Sequence, residues 1–300
     1  NNEVFKEFAN KEVILASGSF ITPKILMLSG IGNEKELSTF GIKCIVNLPG
    51  VGENLIDHPE CPLIARANGK YGYYKQDEGW RMIKNGLEFL LFGTGPVNST
   101  GVEAGAFINP IDQDELAYIQ AFFVPSIYMN SDTIGVIKND YGMSITTVMT
   151  KPKSRGKVTL KTNDPKDMPA IELNLLRHPD DLKMMMAGQK FFLRALQEGA
   201  LGAKVKEVII PKTKGLDDDK LADHCRNFVR TNYHPSGTAK MGANNDKMAV
   251  LDSKMRVRGI DNLRVCDLSA MPNINSGNTA APAMMLGLRC GDLINNTLKN

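Results

Sequence analysis

The chain has 300 residues, of which 42% are hydrophobic and 23% charged, and its formal net charge is +3. These values are typical of a globular protein with one large domain or two ordinary ones. They argue against nucleic-acid binding, because the basic residues form no long run and no aromatic ladder accompanies them. The sequence has no stretch of about 18 uninterrupted apolar residues, so no membrane span is predicted.

The cysteines are odd in number and widely spaced, with no Cys-x-x-Cys pair: Cys44, Cys61, Cys225, Cys266 and Cys290. This pattern argues against a disulfide framework and against structural zinc, so no metal site is predicted. The triplets at 98–100 (Asn-Ser-Thr) and 295–297 (Asn-Asn-Thr) are acceptor sequences for N-glycosylation. They indicate a secreted glycoprotein.

The first predicted element is a short strand at residues 12–16, an apolar β-rich run that Ser17, Gly18 and Ser19 end. A buried parallel strand feeding a tight turn has this pattern. A helix follows, with Thr22 expected at its N-cap and Pro23 at its first position. Taken alone, this strand-turn-helix is ordinary βα packing.

A polar connection rich in glycine follows at residues 48–59. Its glycines permit close approach of the backbone to a ligand or to another segment. His58 stands directly before Pro59, a proline that disfavours helix, and is predicted to be structural rather than catalytic.

From about residue 61 to about residue 230 the pattern is that of an antiparallel sheet with covering helices. Strands are predicted at 118–124, 144–149 and 156–160, and helices at 79–92 and 179–196. Arg155 is predicted to be a solvated or capping charge. Phe122, Phe123 and Tyr128 are candidate walls of a substrate pocket, with plain core packing as the alternative.

The last seventy residues carry three polar motifs. Residues 233–242 read Tyr-His-Pro-Ser-Gly-Thr-Ala-Lys-Met-Gly, residues 267–272 read Asp-Leu-Ser-Ala-Met-Pro, and residues 277–282 read Gly-Asn-Thr-Ala-Ala-Pro. Asp267 follows a predicted strand at 263–266, a place where α/β proteins gather ligands, and its alternative role is a cap for the next turn. A helix is predicted after Asn278 or Thr279, with Pro282 in its first turn.

Residues 18–32 add a fourth motif, Gly-Ser-Phe-Ile-Thr-Pro-Lys-Ile-Leu-Met-Leu-Ser-Gly-Ile-Gly. With these motifs the chain resembles the glucose-methanol-choline (GMC) family of FAD-dependent oxidoreductases, from about residue 11 to about residue 295. The resemblance implies an α/β (α+β) fold. Part of a Rossmann-like FAD-binding domain is expected at 1–60 and 231–300, and a substrate-binding domain with an antiparallel sheet at 61–230.

The chain contains no Gly-x-Gly-x-x-Gly, the fingerprint that lets a helix N-terminus approach a pyrophosphate. The family carries this motif near its N-terminus. We therefore expect the N-terminal portion of the same protein, as a preceding segment or a separate chain, to complete the FAD site.

The resemblance also implies roles for individual residues. His234 would accept the hydroxyl proton of an alcohol, because its ordinary pKa lies near neutrality. Asn278 would orient the substrate oxygen, because an amide hydrogen-bonds without titrating. FAD would lie against the following residues: Ala16, Ser17, Gly18, Asn54, Asp267, Leu268, Asn278, Thr279 and Ala280. The first N–H groups of the helix after Asn278 would face the negative edge of the reduced flavin.

These roles predict an FAD-dependent alcohol oxidase that transfers hydride from a small-molecule alcohol to flavin N5 and uses O2. Aromatic alcohols or cyanohydrins are the expected substrates, while a dehydrogenase stays open because no motif reports on O2 access. A hydroxynitrile lyase on the same scaffold, with redox-silent FAD, is one alternative, although plant lyases of the family carry histidine where this chain has Asn278. An inactive homologue is the other, and the presence of both His234 and Asn278 argues against it.

Overall fold

A computed structural model describes residues 5–128 and 140–298, with side chains described up to residue 295. The chain forms two compact units, each assembled from separate stretches of sequence. Unit 1 is Asn1–His58, Ser154–Leu175 and Tyr233–Asn300, and unit 2 is Pro59–Lys153 and Leu176–Asn232. Residues 154–175, which lie inside the predicted middle domain, thus cluster with unit 1.

The described residues form twelve strands and seven α-helices, numbered in chain order. The strands are β1 (Val13–Leu15), β2 (Ile31–Gly32), β3 (Val46–Asn47), β4 (Pro59–Ala67), β5 (Ala104–Ile108), β6 (Ile119–Val124), β7 (Gly142–Met149), β8 (Lys157–Thr159), β9 (Ala170–Glu172), β10 (Val205–Ile210), β11 (Arg230–Thr231) and β12 (Leu263–Val265). The helices are α1 (Gly18–Leu28), α2 (Glu34–Thr39), α3 (Gly79–Phe92), α4 (Pro179–Gln197), α5 (Gly199–Gly202), α6 (Asp218–Phe228) and α7 (Ala280–Leu298). Short 3₁₀ turns occupy Pro96–Asn98 and Leu268–Ala270.

Unit 1 contains the strand-turn-helix predicted near the N-terminus. β1 pairs in parallel with β12, so that the carboxyl ends of the two strands lie side by side. Two further pairs, parallel β2–β3 and antiparallel β8–β9, complete its strands within the described residues. The mixture of parallel strands, helices and, in unit 2, an antiparallel sheet confirms the predicted α/β (α+β) class.

α1 begins earlier than expected. The sequence predicts Thr22 as the N-cap, and this prediction is wrong, because Gly18 is the first helical residue and Pro23 lies inside the helix. An internal proline lacks the N–H that would bond the carbonyl four residues before it, here that of Ser19. That carbonyl instead accepts the Thr238 hydroxyl at 2.7 Å. A long-range hydrogen bond therefore satisfies the group that the proline leaves open.

α7 begins where the sequence predicts. Its first residue is Ala280, and the Thr279 carbonyl accepts the Ala283 N–H at 2.9 Å, which confirms the predicted cap region. The buried side of the helix includes Leu286 and Cys290, packed in a small cluster with Met255. Its other side exposes three large apolar side chains: Met284, Met285 and Leu288.

Unit 2 is built on a six-stranded antiparallel sheet in the order β10-β4-β7-β6-β5, with β11 also paired to β4. β4 and β7 are the central strands, and every residue of β7 is buried. α4 and α6 cover one face of this sheet and share its core. The antiparallel sheet and the bounds predicted for α3 and α4 are confirmed to within a residue.

Candidate active site

The carboxyl ends of β1 and β12 bring together two of the predicted cofactor segments of unit 1. Ala16, Ser17 and Gly18 follow β1, and Asp267 and Leu268 follow β12. Asp267 Oδ2 accepts hydrogen bonds from the Gly18 N–H at 3.0 Å and from the Thr22 hydroxyl at 2.6 Å. This carboxylate therefore joins the two strand ends.

The other oxygen of Asp267 has a capping role. Asp267 Oδ1 accepts the Ser269 N–H at 2.8 Å and also the Ser269 hydroxyl, at the start of the 3₁₀ turn. The sequence leaves open whether Asp267 contacts the cofactor or caps this turn. The structure shows the cap, and it shows in addition the bonds to α1 that no local pattern predicts.

His234 lies on the loop that crosses this corner of unit 1. Its neighbour Pro235 offers a carbonyl that accepts the Ser19 hydroxyl at 2.7 Å, which ties the loop to α1. The side chain is 9% exposed, and burial lowers the pKa of His234 below its ordinary value of 6.5, because a buried site disfavours the charged imidazolium. At neutral pH the ring is therefore neutral and able to accept a proton.

Two residues of the glycine-rich connection hold His234. Asp57 Oδ1 accepts the backbone N–H of His58 at 2.7 Å and that of His234 at 3.1 Å. The Nδ1 atoms of His58 and His234 lie 3.0 Å apart, with the ring planes at 83° to each other. His58 Nε2 lies 2.9 Å from the Asn275 carbonyl oxygen.

Asn278 stands at the end of a loop that this same contact anchors. The Asn275 side chain donates from Nδ2 to the Gly277 carbonyl at 2.7 Å and to the Asn278 carbonyl at 3.2 Å. Asn278 is exposed, while Thr279, the residue before α7, is buried. Contacts of the Asn275 and His58 side chains thus link the backbone at Asn278 to the His234 ring.

Asn54 is engaged with the protein rather than turned to solvent. Its Nδ2 donates to the Gly237 carbonyl at 3.2 Å, and its Oδ1 accepts Arg155 Nε at 3.1 Å. Arg155 also donates to Asn273 Oδ1 at 3.0 Å. Of the two roles predicted for Arg155, a solvated or a capping charge, the solvated one is wrong, because this half-buried guanidinium joins the Asn54 loop to the segment before Asn275.

The candidate pocket residues all belong to unit 2. Phe123 packs into the core under α4 and lines an apolar cavity of ≈ 350 Å³ together with Phe192. Phe122 precedes it in β6 and therefore faces the opposite side of the sheet. Tyr128 is 47% exposed, and the Arg230 guanidinium lies 5.6 Å from the centre of its ring.

Two kinds of feature are absent from the part of the chain that the structure describes. It holds no group of three or more His, Cys, Asp or Glu side chains arranged to bind a metal ion. Nor does it hold a helix with the length and apolar character needed to cross a bilayer.

Family models described as GMC oxidoreductase match this chain in two places, residues 1–60 for the N-terminal model and residues 152–287 for the C-terminal one. The chain belongs to the GMC oxidoreductase family. An oxygen-dependent choline dehydrogenase from Escherichia coli O157:H7 is 36% identical over 286 residues, which is 95% of this chain and 50% of that protein. This GMC chain therefore spans about half the length of the curated relatives it matches.

Two solved structures of oxidases share the fold. A formate oxidase from Aspergillus oryzae RIB40, studied for its FAD modification, has a TM-score of 0.84 at 29% identity, over 97% of this chain and 55% of that one. A fungal aryl-alcohol oxidase has a TM-score of 0.82 at 21% identity, over 100% of this chain and 57% of that one. At that identity the second likeness concerns the fold alone.

Three polar residues that contact His234 or Asn54 were not predicted as parts of this GMC site. Asp57 and Arg155 act through partners that are distant in sequence, and neither follows a local motif that would reveal them. His58 is predicted as structural, and its Asp-His-Pro neighbours give no hint of the His234 contact. Only the fold shows that Asp57 and His58 contact the predicted base and that Arg155 contacts Asn54.

Proposed function

We propose that this chain is part of an FAD-dependent enzyme that oxidises an alcohol, with His234 as the base and Asn278 as the group that orients the substrate oxygen. Membership of the GMC family supports the reaction class. The observation that carries the assignment is the state of His234, a buried imidazole with a lowered pKa and a backbone N–H fixed by Asp57. A base of this kind is neutral and positioned before substrate arrives.

The residues of unit 1 fit a flavin. The first-turn N–H groups of α7, those of Ala280 and Ala281, have no acceptor within the helix and form its positive end. Asn275 Oδ1 is buried, and among the described residues no donor bonds to it. These groups, together with residues 16–18, Asn54 and residues 267–268, are the ones that we propose hold FAD. When bound, FAD supplies the acceptor for the hydride that leaves the carbinol carbon.

The chain's own contribution is proton transfer and orientation. His234 takes the hydroxyl proton on a ring nitrogen, so that the O–H bond breaks as an N–H bond forms. Asn278 donates a side-chain N–H to the same oxygen, which fixes its position without competing for the proton. Positioned acid–base catalysis of this kind contributes about 10²–10⁴-fold in rate.

We assign the two units different tasks. Unit 1 would form part of the FAD-binding domain, and unit 2 would form the substrate-binding domain, with Phe122, Phe123 and Tyr128 as candidate pocket residues. Because the chain spans about half of its curated relatives, we propose that an N-terminal portion of the same protein supplies the rest of the FAD site. The exposed apolar side of α7 is where we expect that portion to pack.

For the electron acceptor and the substrate, we propose an oxidase that uses O2 and acts on aromatic alcohols or cyanohydrins. We also propose that the protein is secreted and N-glycosylated, with the exposed Asn98 on the 3₁₀ turn at Pro96–Asn98 and the exposed Asn295 in α7 as the acceptors. Asn296 and Thr297 of the second triplet lie outside the residues whose side chains are described. Digestion with an N-glycosidase should lower the mass of the secreted protein. The decrease in mass should be smaller for an Asn98→Gln variant.

The decisive experiment mixes the complete flavin-loaded protein anaerobically with a panel of alcohols and follows the flavin absorbance. Oxidation of an alcohol bleaches the flavin, whereas cleavage of a cyanohydrin with the flavin still oxidised identifies a lyase instead. His234→Ala should retain FAD and slow bleaching by about 10²–10⁴-fold. His178→Asn is the matched control, because His178 caps α4 in unit 2 and asparagine caps helices equally well. An unimpaired His234→Ala variant would refute the base assignment.

A further inference from the structure

The hydrogen-bond partners of His58 and His234 determine which ring nitrogen of each histidine carries a proton. A carbonyl oxygen only accepts hydrogen bonds, so His58 Nε2, 2.9 Å from the Asn275 carbonyl, must carry a proton. A neutral imidazole has one N–H, which leaves His58 Nδ1 as an acceptor. The atom 3.0 Å from it is His234 Nδ1, which must therefore be the donor.

The consequence for His234 concerns its other nitrogen. If Nδ1 carries the proton of the neutral ring, Nε2 holds the lone pair. The hydrogen bonds of His234 run through Nδ1 and the backbone, and no described residue bonds to Nε2. The nitrogen able to accept a proton is thus the one that the protein leaves available for a substrate.

The burial of His58 favours its neutral form. His58 is completely buried, and desolvation disfavours the charged form of a buried histidine. The carboxylate nearest in sequence, Asp57, is also buried, and its Oδ1 accepts backbone N–H groups from both histidines. Asp57 thus fixes the two backbones, while the ring-to-ring bond fixes the proton.

We propose that His58 is a positioning residue that holds His234 in the Nδ1–H tautomer, with Nε2 as the base, and anchors the loop that carries Asn278. The proposal rests on the proposed function and names the nitrogen that acts in it. When Nε2 takes the hydroxyl proton, the N–H on Nδ1 stays in place. Its bond to His58 becomes a charge-assisted one, so His58 stabilises the imidazolium that forms.

The tautomer can be measured without turnover. In the complete flavin-loaded protein labelled with ¹⁵N-histidine, two-bond ¹H–¹⁵N spectra distinguish the protonated nitrogen of each neutral ring, and His234→Gln assigns the His234 signals. We expect His234 to carry its proton on Nδ1 and His58 on Nε2. A neutral His234 protonated on Nε2, or a His58 imidazolium at neutral pH, would overturn the proposal even if alcohol oxidation were established.

Two variants of His58 separate the two bonds. His58→Asn places an amide oxygen near the position of Nδ1, so it keeps an acceptor for His234 and loses the donor to Asn275. His58→Gln reaches the position of Nε2, so it keeps that donor and loses the acceptor. We expect His58→Gln to shift His234 toward the Nε2–H tautomer. The value of kcat/KM should then fall by about 10- to 100-fold, which is part of the rate enhancement that a positioned base contributes. The acid limb of its pH profile should also move to lower pH, because the imidazolium loses its acceptor.

In His58→Asn the Nδ1–H tautomer and the acid limb should stay as in the natural protein. Equal losses in both variants with an unchanged His234 tautomer would show that His58 acts only in packing, and would refute the proposal. If no alcohol bleaches the flavin while the spectra show the expected tautomers, the proposed function fails and the proton assignment stands.

Discussion

Asp267 offers the most direct test of how this corner of unit 1 is held together. Its carboxylate accepts hydrogen bonds from the Gly18 N–H, the Thr22 hydroxyl and two groups of Ser269. Asp267→Ala removes all of these acceptors at once. Hydroxyl groups can rotate toward other partners, whereas the two backbone N–H groups cannot, and Ser269 is completely buried.

The expected loss follows from those two N–H groups. A hydrogen bond to a charged group contributes about 1.5–3 kcal/mol, so leaving both donors unpaired should cost about 3–6 kcal/mol. Asp267→Asn keeps Oδ1 for Ser269 but turns a donor toward the Gly18 N–H, and should cost about 1.5–3 kcal/mol. Thr22→Val removes a single hydroxyl and should cost about 1 kcal/mol.

Hydrogen exchange measures these free energies locally, which matters because a chain with two units need not unfold in one step. The amides of Gly18 and Ser269 should lose protection in the order Asp267→Ala, Asp267→Asn, Thr22→Val, and flavin affinity should fall in parallel. A loss below about 1 kcal/mol in Asp267→Ala would refute the reasoning. Weaker flavin binding with unchanged protection would instead assign Asp267 a direct cofactor contact.

Three further predictions concern single contacts. Arg230→Leu should destabilise unit 2 by about 3–5 kcal/mol in denaturant unfolding, because the Glu60 side chain, only 10% exposed, loses its ion-pair partner. Adding Glu60→Gln to this variant should restore part of the lost stability. Gly237→Ala should lower the free energy of unfolding by about 1–3 kcal/mol, since Gly237 has φ +89° and a Cβ would lie 2.7 Å from a backbone oxygen. Gly287→Ala is the control and should not lower it, because a Cβ at this position on α7 meets open space. Burial lowers the pKa of His224 from 6.5 to about 4. Unfolding therefore takes up a proton between these values, so stability should fall by about 3 kcal/mol as pH drops from 6.5 to 4, and His224→Gln should flatten that slope in thermal scans.

Local signals account for what the sequence predicts well. α3 and α4 carry their own start and stop residues, such as Gly93 in a left-handed conformation after α3 and His178 bonded to the Asp180 N–H before α4. Thr279 and Pro282 likewise indicate the start of α7. Each of these boundaries depends on residues within about one helical turn, which is the range that pattern reading covers.

Predictions fail where the deciding partner is far away in sequence. Thr22 looks like an N-cap, but its hydroxyl bonds Asp267, 245 residues later, and the helix starts before it. Arg155 looks like a surface charge, but its partners are Asn54 and Asn273. In both cases a long-range hydrogen bond competes successfully with the local preference, and a single sequence does not report which distant groups will be neighbours.

The connection at residues 54–58 explains why the two predicted catalytic residues depend on one another. Asn54 bonds the Gly237 carbonyl, Asp57 bonds the His234 N–H, and His58 bonds both the His234 ring and the Asn275 carbonyl. A single short loop therefore fixes the segment that carries His234 and the segment that leads to Asn278. A backbone shift in this loop would move both segments, so the distance between the proposed base and the proposed orienting amide depends on a loop that contains neither residue.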